Sequence, residues 1–203
     1  IIVKGKGGHA ASPHLSIDPV VISAQVISAV QTIISRSTDP VDKALISITK
    51  INAGTAYNVI DDQVKMGGTI RTFKKETRSY IEKRLRELCN GIAEAHGADI
   101  QIQFDLVNKY PPTINSKNES IFAANVAKGL VGEDKVITDI DPSMGGEDFS
   151  YLLEEKPGTY LYLGQGDSDH KAHLHTTKYD FNDSLLPIGV NFWVELVKKY
   201  FSK

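Results

Sequence analysis

Apolar and polar residues alternate along this chain in blocks whose period switches between two and three to four, and those blocks predict its elements. Ile1 to Lys6 suits a strand, which Gly5, Gly7 and Gly8 break into a turn-rich stretch running to Pro13. Asp18 is a good N-cap with Pro19 in the first helical position, and Ile22, Val26, Ala29, Val30 and Ile33 share one face. A helix is predicted there, closed by Asp39-Pro40. Ala44 to Ile51 reads as a strand from its β-branched residues, a loop carries Gly54 and Asn58, and Val64 to Phe73 is a second strand. Ile81, Leu85, Leu88 and Ile92 repeat at helical spacing and predict a helix from Glu76 to His96, with Gly97 just past its end. Ile100, Ile102, Phe104 and Leu106 then alternate with Gln101, Gln103 and Asp105, the signature of a half-buried strand.

The resulting order is βαββαβ. It predicts an α+β, ferredoxin-like unit: a four-stranded antiparallel sheet with both helices on one face. Asn108 to Pro112 interrupts the pattern, because Tyr110-Pro111-Pro112 continues neither a helix nor a central strand, so the first domain is expected over 1–110 and a second over 111–203. In the second, Ser116 and Glu119 form a capping-box pattern opening a helix to about Leu130, and Thr159 to Leu163 reads as a short strand. A last helix from about Leu186 to Phe201 aligns Leu186, Val190, Trp193, Val197 and Tyr200 on one stripe. This segment is thin for an independent core and reads as part of a domain whose remainder lies elsewhere. The strand-like start at Ile1, with no initiator Met, likewise suggests a chain that begins inside a larger protein.

Composition narrows the function. In 203 residues, 41% are apolar and 23 Lys plus Arg face 25 Asp plus Glu, a net charge of −2 with no basic cluster, which argues against nucleic acid or anionic lipid as a partner. The longest wholly apolar run is far short of the roughly 20 residues of a bilayer crossing, so no membrane span is expected. No signal-peptide pattern opens the chain, and Cys89 alone leaves no intramolecular disulfide, so a reducing, cytoplasmic setting is expected.

Several groups could carry chemistry. Gly5-Lys6-Gly7-Gly8-His9-Ala10 satisfies a loose dinucleotide-binding pattern, but the helix starts well downstream at Asp18-Pro19, so the stretch reads as a turn exposing His9. His170, His173 and His175, with Asp167 and Asp169 upstream, are either metal ligands or a polar loop. If extended, His173-Leu174-His175 puts two rings on one side. Ser143-Met144-Gly145-Gly146-Glu147-Asp148 presents Glu147 to a site, or lets Asp148 cap a short helix toward Leu153. Arg71, within a strand, is either a solvated edge residue or, with Asn58, a partner for a substrate carboxylate. Cys89 falls beside the apolar stripe of its helix and reads as core, and the chain holds no Gly-x-Ser-x-Gly elbow.

In order, Gly5 to Ala11 with Pro13-His14, Asn58-Val59-Ile60, Gly68-Thr69-Ile70-Arg71, Met144 to Phe149, and Leu174-His175 before Leu186-Pro187-x-Gly189 resemble a zinc-dependent amidohydrolase and metallopeptidase family, M-twenty subfamily D, the aminoacylase and hippurate hydrolase type. The resemblance covers essentially the whole chain. It implies that 1–110 is a ferredoxin-like lid that also forms a homodimer, and that 111–203 is the C-terminal portion of a catalytic α/β domain. It implies hydrolysis of the amide bond of small N-acyl amino acids, with one or two divalent metals, expected to be zinc. His9 then reaches across the dimer to stabilise the oxyanion, Asn58 and Arg71 hold the substrate carboxylate, His175 ligates metal and Glu147 lines the site. Asp61 stands where the family usually has proline, and Thr176-Thr177 follow His175 in place of Ser-Pro. The remaining metal ligands and the general base have no counterpart, so the chain alone is expected to be an inactive part of the enzyme. The rival reading is a non-catalytic ferredoxin-like module for ligand binding or dimerisation.

Overall fold

The computed structural model describes residues 1–105, 110–165 and 169–202, so the expectations for Leu106, Asn108 and Asp167 fall outside the described residues. The chain divides into two compact units, Ile1–Pro112 and Thr113–Lys203, with the division immediately after the paired prolines.

In the first unit the chain runs β1 (Ile2–Lys4), β2 (Gly8–His9), α1 (Pro19–Thr32), β3 (Ala44–Asn52), β4 (Val59–Ile60), β5 (Gln63–Thr72), α2 (Lys75–His96) and β6 (Asp99–Gln101). Four strands form one sheet in the order β3-β5-β1-β6, antiparallel throughout, while β2 and β4 make a separate two-stranded ribbon. The ribbon was not predicted, because two residues are too few to show a period. Helix α1 starts as its cap requires: the Asp18 carboxylate accepts from Val20 N at 2.8 Å and Val21 N at 3.4 Å, with Pro19 at the first turn. It passes into a π-helical turn, Ile33–Ser37, short of the predicted stop. Helix α2 ends on Gly97 in the left-handed conformation (φ 64°), where a side chain would be strained.

Both helices pack against each other and against β5, and Ile22, Val26, Val30 and Ile33 of the first and Ile81, Leu85 and Cys89 of the second close over Val3, Val64, Met66 and Ile100. Burying each of these side chains contributes about 1.5 to 3 kcal/mol before the cost of ordering the chain. Pro19–Ser37 contains an 18-residue window of mean hydropathy 1.3, long and apolar enough by composition to cross a bilayer. Length and composition alone do not make it a span, since the core helix of a folded domain meets the same test. Here its apolar stripe is spent on the sheet. Among the described residues, the strand expected from Ile100 to Leu106 pairs only over Asp99–Gln101, because β1 offers three residues to it. Ile102 and Phe104 still lean on the core, and the Arg86 guanidinium covers Phe104 at 4.9 Å.

The second unit holds α3 (Lys117–Val131), α4 (Phe149–Glu155) and α5 (Leu186–Phe201). Ser116 occupies the N-cap of α3, but its hydroxyl accepts from Gly158 N at 3.2 Å and makes no bond to the helix, so the predicted capping box does not form. Thr159 to Leu163 is not a strand, since no partner strand lies alongside among the described residues. Its backbone is gripped instead by Asn115, whose amide donates to Tyr160 O at 2.9 Å and accepts from Tyr160 N at 2.7 Å. Helix α5 touches α3, with Phe122 and Tyr200 edge to face at 6.2 Å. Its predicted stripe is nevertheless open: Leu186, Val190, Trp193, Val197 and Tyr200 are each more than half exposed.

Candidate functional site

The ribbon brings His9 and Asn58 together. Gly8 pairs with Ile60 and His9 with Val59, and Ala10 N–H donates to Asn58 O at 3.0 Å. An open cleft of about 460 Å³ lies along it, lined by His9, Asn58, Asp61, Asp62 and the neighbouring backbone. Ala11 N–H donates to His9 Nδ1 at 3.1 Å. An accepting Nδ1 puts the proton of the neutral ring on Nε2, so this exposed imidazole presents a hydrogen-bond donor.

The turn that carries His9 is closely fitted. A Cβ on Gly5 would lie 2.0 Å from Ile17 O, because Lys6 and Ile17 exchange two backbone bonds of 2.9 Å there. On the other side of the cleft, Thr55 Oγ1 donates to Asp61 Oδ1 at 3.0 Å and Val59 N–H to Ala56 O at 3.3 Å, which closes the loop that presents Asn58. Asp61, the departure from the family's proline, therefore has a local structural use.

Arg71 is not beside this pair. It faces Leu45 at the far end of β5, whereas the ribbon continues from the end where Gln63 meets Lys4. At about 3.3 Å per residue, the span from Gln63 to Arg71 is roughly 26 Å, well beyond the reach of an arginine side chain. Arg71 also lies on an interior strand and is half-buried, so it is not a solvated edge residue. Within one chain, Asn58 and Arg71 therefore do not meet on one small carboxylate.

In the second unit His175 has φ 63°, the only non-glycine residue in the left-handed region among those described. Such a conformation costs on the order of 1 kcal/mol and persists only where the surroundings impose it. It also means that His173-Leu174-His175 is a turn and not extended, so the geometric premise for two rings on one side fails. Thr176 Oγ1 donates to His173 O at 2.9 Å across this turn, and His170 Nε2 lies 4.0 Å from Asp180 Oδ2. Among the described residues no group of three or more His, Cys, Asp or Glu side chains is gathered for a metal, so the donors present do not make a metal site by themselves.

Glu147 is held by an aromatic group that the sequence reading missed. Tyr160 OH donates to Glu147 Oε2 at 2.8 Å, and the Tyr160 ring packs against Phe149 and edge-on against Tyr162. That hydrogen bond holds the Glu147 carboxyl below its ordinary range and pushes the Tyr160 phenol up to about 12. Asp148 stands at the N-cap of α4 without a side-chain bond to it, but Ser150 of that helix donates to Glu147 O through its N–H at 3.2 Å and its hydroxyl at 2.5 Å.

The sequence profile of Peptidase family M20/M25/M40 matches residues 5–199. The chain belongs to this family. Among M20 relatives it is 34% identical over 196 residues to N-acetylcysteine deacetylase of Bacillus subtilis, covering 97% of this chain and 50% of that protein. It is 36% identical to hippurate hydrolase of Campylobacter jejuni, covering 98% and 51%. An M20 crystal structure, the dinuclear metal binding peptidase YXEP of Bacillus subtilis, superposes with a TM-score of 0.67 at 28% identity, covering 96% and 48%. A putative aminohydrolase from methicillin-resistant Staphylococcus aureus superposes with a TM-score of 0.78 at 26% identity, covering 98% and 51%. The chain spans about half the length of the relatives it matches.

Proposed function

We propose that this chain is the lid-bearing half of a metal-dependent M20 amidohydrolase that cleaves the amide bond of N-acyl amino acids. In this reading 1–110 is a ferredoxin-like lid and dimerisation domain, and 111–203 completes a catalytic α/β domain whose other part carries the missing ligands and base. The metal is read as zinc, one or two ions, with His175 as the ligand this chain contributes. The strained backbone at His175 supports that assignment, and the open stripe of α5 supports a missing layer of the same domain. The setting is read as cytoplasmic.

The observation that carries the reading is the His9 ring, which accepts from Ala11 N–H through Nδ1 and so offers Nε2–H at the cleft. A ring whose Nδ1 is occupied in this way presents Nε2–H, a donor that suits an oxyanion developing as the amide carbonyl is attacked, and losing one such donor typically costs about 10² to 10³ in kcat. Asn58 shares the ribbon with His9, while Arg71 lies at the other end of β5. A single bound N-acyl amino acid is therefore served by His9 and Asn58 of one protomer and by Arg71 of the other.

The test is subunit complementation in the native-length protein. His9→Ala should lower kcat, and Arg71→Ala should raise KM about 10- to 100-fold through loss of a charge-assisted carboxylate contact. At substrate well below the wild-type KM, where both variants are impaired, mixing them and allowing protomers to exchange should restore roughly a quarter of wild-type kcat/KM, since half the dimers then hold one intact site of two. No recovery on mixing overturns the two-protomer arrangement, and unchanged kcat in His9→Ala overturns the role of His9.

A further inference from the structure

The cleft raises the question of what aims His9, because the residues before it form neither a helix nor a continuous strand. The main sheet pairs Lys4 with Gln63, and the ribbon resumes the pairing at Gly8 and Ile60. Between these two points one strand has Gly5, Lys6 and Gly7, while the other has only Asp61 and Asp62. The extra residue makes this crossing a bulge, a device that redirects a strand and leaves one backbone group without a ladder partner.

The hydrogen bonds show how the mismatch is resolved. Gly5 N–H donates to Asp62 O at 2.8 Å and Lys6 N–H to Ile17 O at 2.9 Å, both backbone acceptors. Gly7 N–H has no backbone acceptor of this kind and donates to the Asp62 carboxylate, Oδ1, at 2.8 Å. Asp62 thus holds both ends of the turn, one through its main chain and one through its side chain. The fit admits no Cβ at Gly7, which would lie 2.7 Å from Ile60 O and 2.9 Å from Asp62 Oδ1.

We infer that Asp62 is a positioning residue for His9: its carboxylate closes the bulge at Gly7 and thereby fixes the direction in which the ribbon presents the His9 ring. Asp62 does not touch substrate in this scheme, and acts only through the turn. Any carboxylate or amide oxygen at the same position serves, since the need is for an acceptor and not for charge. The catalytic meaning of this inference rests on the role proposed for His9, whereas the structural statement does not.

Two arms of one experiment separate those levels. In the 203-residue chain labelled with ¹⁵N, Asp62→Ala is expected to raise the exchange rate of the Gly7 amide about tenfold, the equivalent of its lost hydrogen bond to the carboxylate. The His9 ring nitrogens should then shift from a protonated Nε2 toward a mixture of tautomers, as the Ala11 contact loosens. Asp62→Asn, which keeps an oxygen acceptor, is expected to restore both signals. In the native-length enzyme the same Asp62→Ala should lower kcat while leaving KM and Tm near wild type, with Asp62→Asn recovering turnover. Unchanged Gly7 exchange and His9 ring shifts in Asp62→Ala overturn the inference whatever the kinetics show. Altered ring shifts with unchanged turnover in both Asp62→Ala and His9→Ala uphold the positioning of His9 and sink its catalytic role instead.

Discussion

Replacing Gly5 by alanine probes the fitted turn more severely than any change at the cleft itself. The new methyl would stand 2.0 Å from Ile17 O and 3.1 Å from both Ile17 C and Pro19 Cδ, against an ordinary contact of about 3.4 Å or more. The obstructing atoms are backbone and a proline ring at the start of α1, so no side-chain rotation relieves the overlap. The chain must part there, which breaks the two Lys6–Ile17 bonds and strains the Gly5–Asp62 bond. Two lost hydrogen bonds at about 1 kcal/mol each, with an overpacking cost of about 1 to 3 kcal/mol, give a destabilisation of about 3 to 5 kcal/mol. Gly91→Ala supplies the opposite sign in the same unit: the residue lies inside α2, is exposed, and its Cβ would meet nothing within 4 Å. Relief of glycine's helix penalty should stabilise by about 0.5 to 1 kcal/mol. Because the chain has two units, a single melting curve does not report either alone, and native-state hydrogen exchange of the slowest amides in α1 and β5 is the appropriate assay. A Gly5→Ala protein whose core amides exchange within about 0.5 kcal/mol of wild type would refute the claim that this turn is tightly fitted.

Other consequences are smaller in scale. Tyr160→Phe removes the donor that holds Glu147 low, so NMR titration should show the Glu147 carboxyl returning upward toward its ordinary 4.5. Since a depressed carboxyl contributes stability above its unfolded value and loses it as pH falls through the folded one, the wild-type second unit should weaken on acidification below about 4.5, and the variant should show less of this dependence. Cys89 is buried, and desolvation pushes its thiol up to about 11 from 9.0. Its stabilising effect is present below 9.0 and is lost as pH rises toward 11, and its reaction with a disulfide reagent near neutral pH should follow opening of the first unit; rapid modification of the native chain would contradict the burial. Asn115→Ala, which removes both bonds to Tyr160, should destabilise the second unit by about 2 kcal/mol, read from the fluorescence of Trp193, the only tryptophan.

Much of the first unit was legible from the residues because its signals are local and repeated. Asp18-Pro19 begins a helix and Gly97 ends one through backbone chemistry within a few residues, and the stripe through Ile22 to Ile33 has one sheet to cover. Burial of Cys89 follows from the same stripe. The second unit was less legible for a physical reason. Thr159 to Leu163 has strand composition but no partner strand among the described residues, and Ser116 has a capping residue's chemistry but accepts from Gly158 N–H instead. Propensity states what a segment can do, and the available partners decide what it does.

The candidate site divides along the same line. The order of short motifs around His9, Asn58, Arg71, Glu147 and His175 was sufficient, from the sequence alone, to place the chain in its family, because each motif is contiguous. What only the tertiary structure decided is their grouping: His9 beside Asn58 on a two-residue ribbon, Arg71 at the other end of its strand, Glu147 held by Tyr160, and His175 in a left-handed turn. Those facts depend on strand register and on contacts between residues distant along the chain, and neither leaves a period or a spacing that a linear sequence can display.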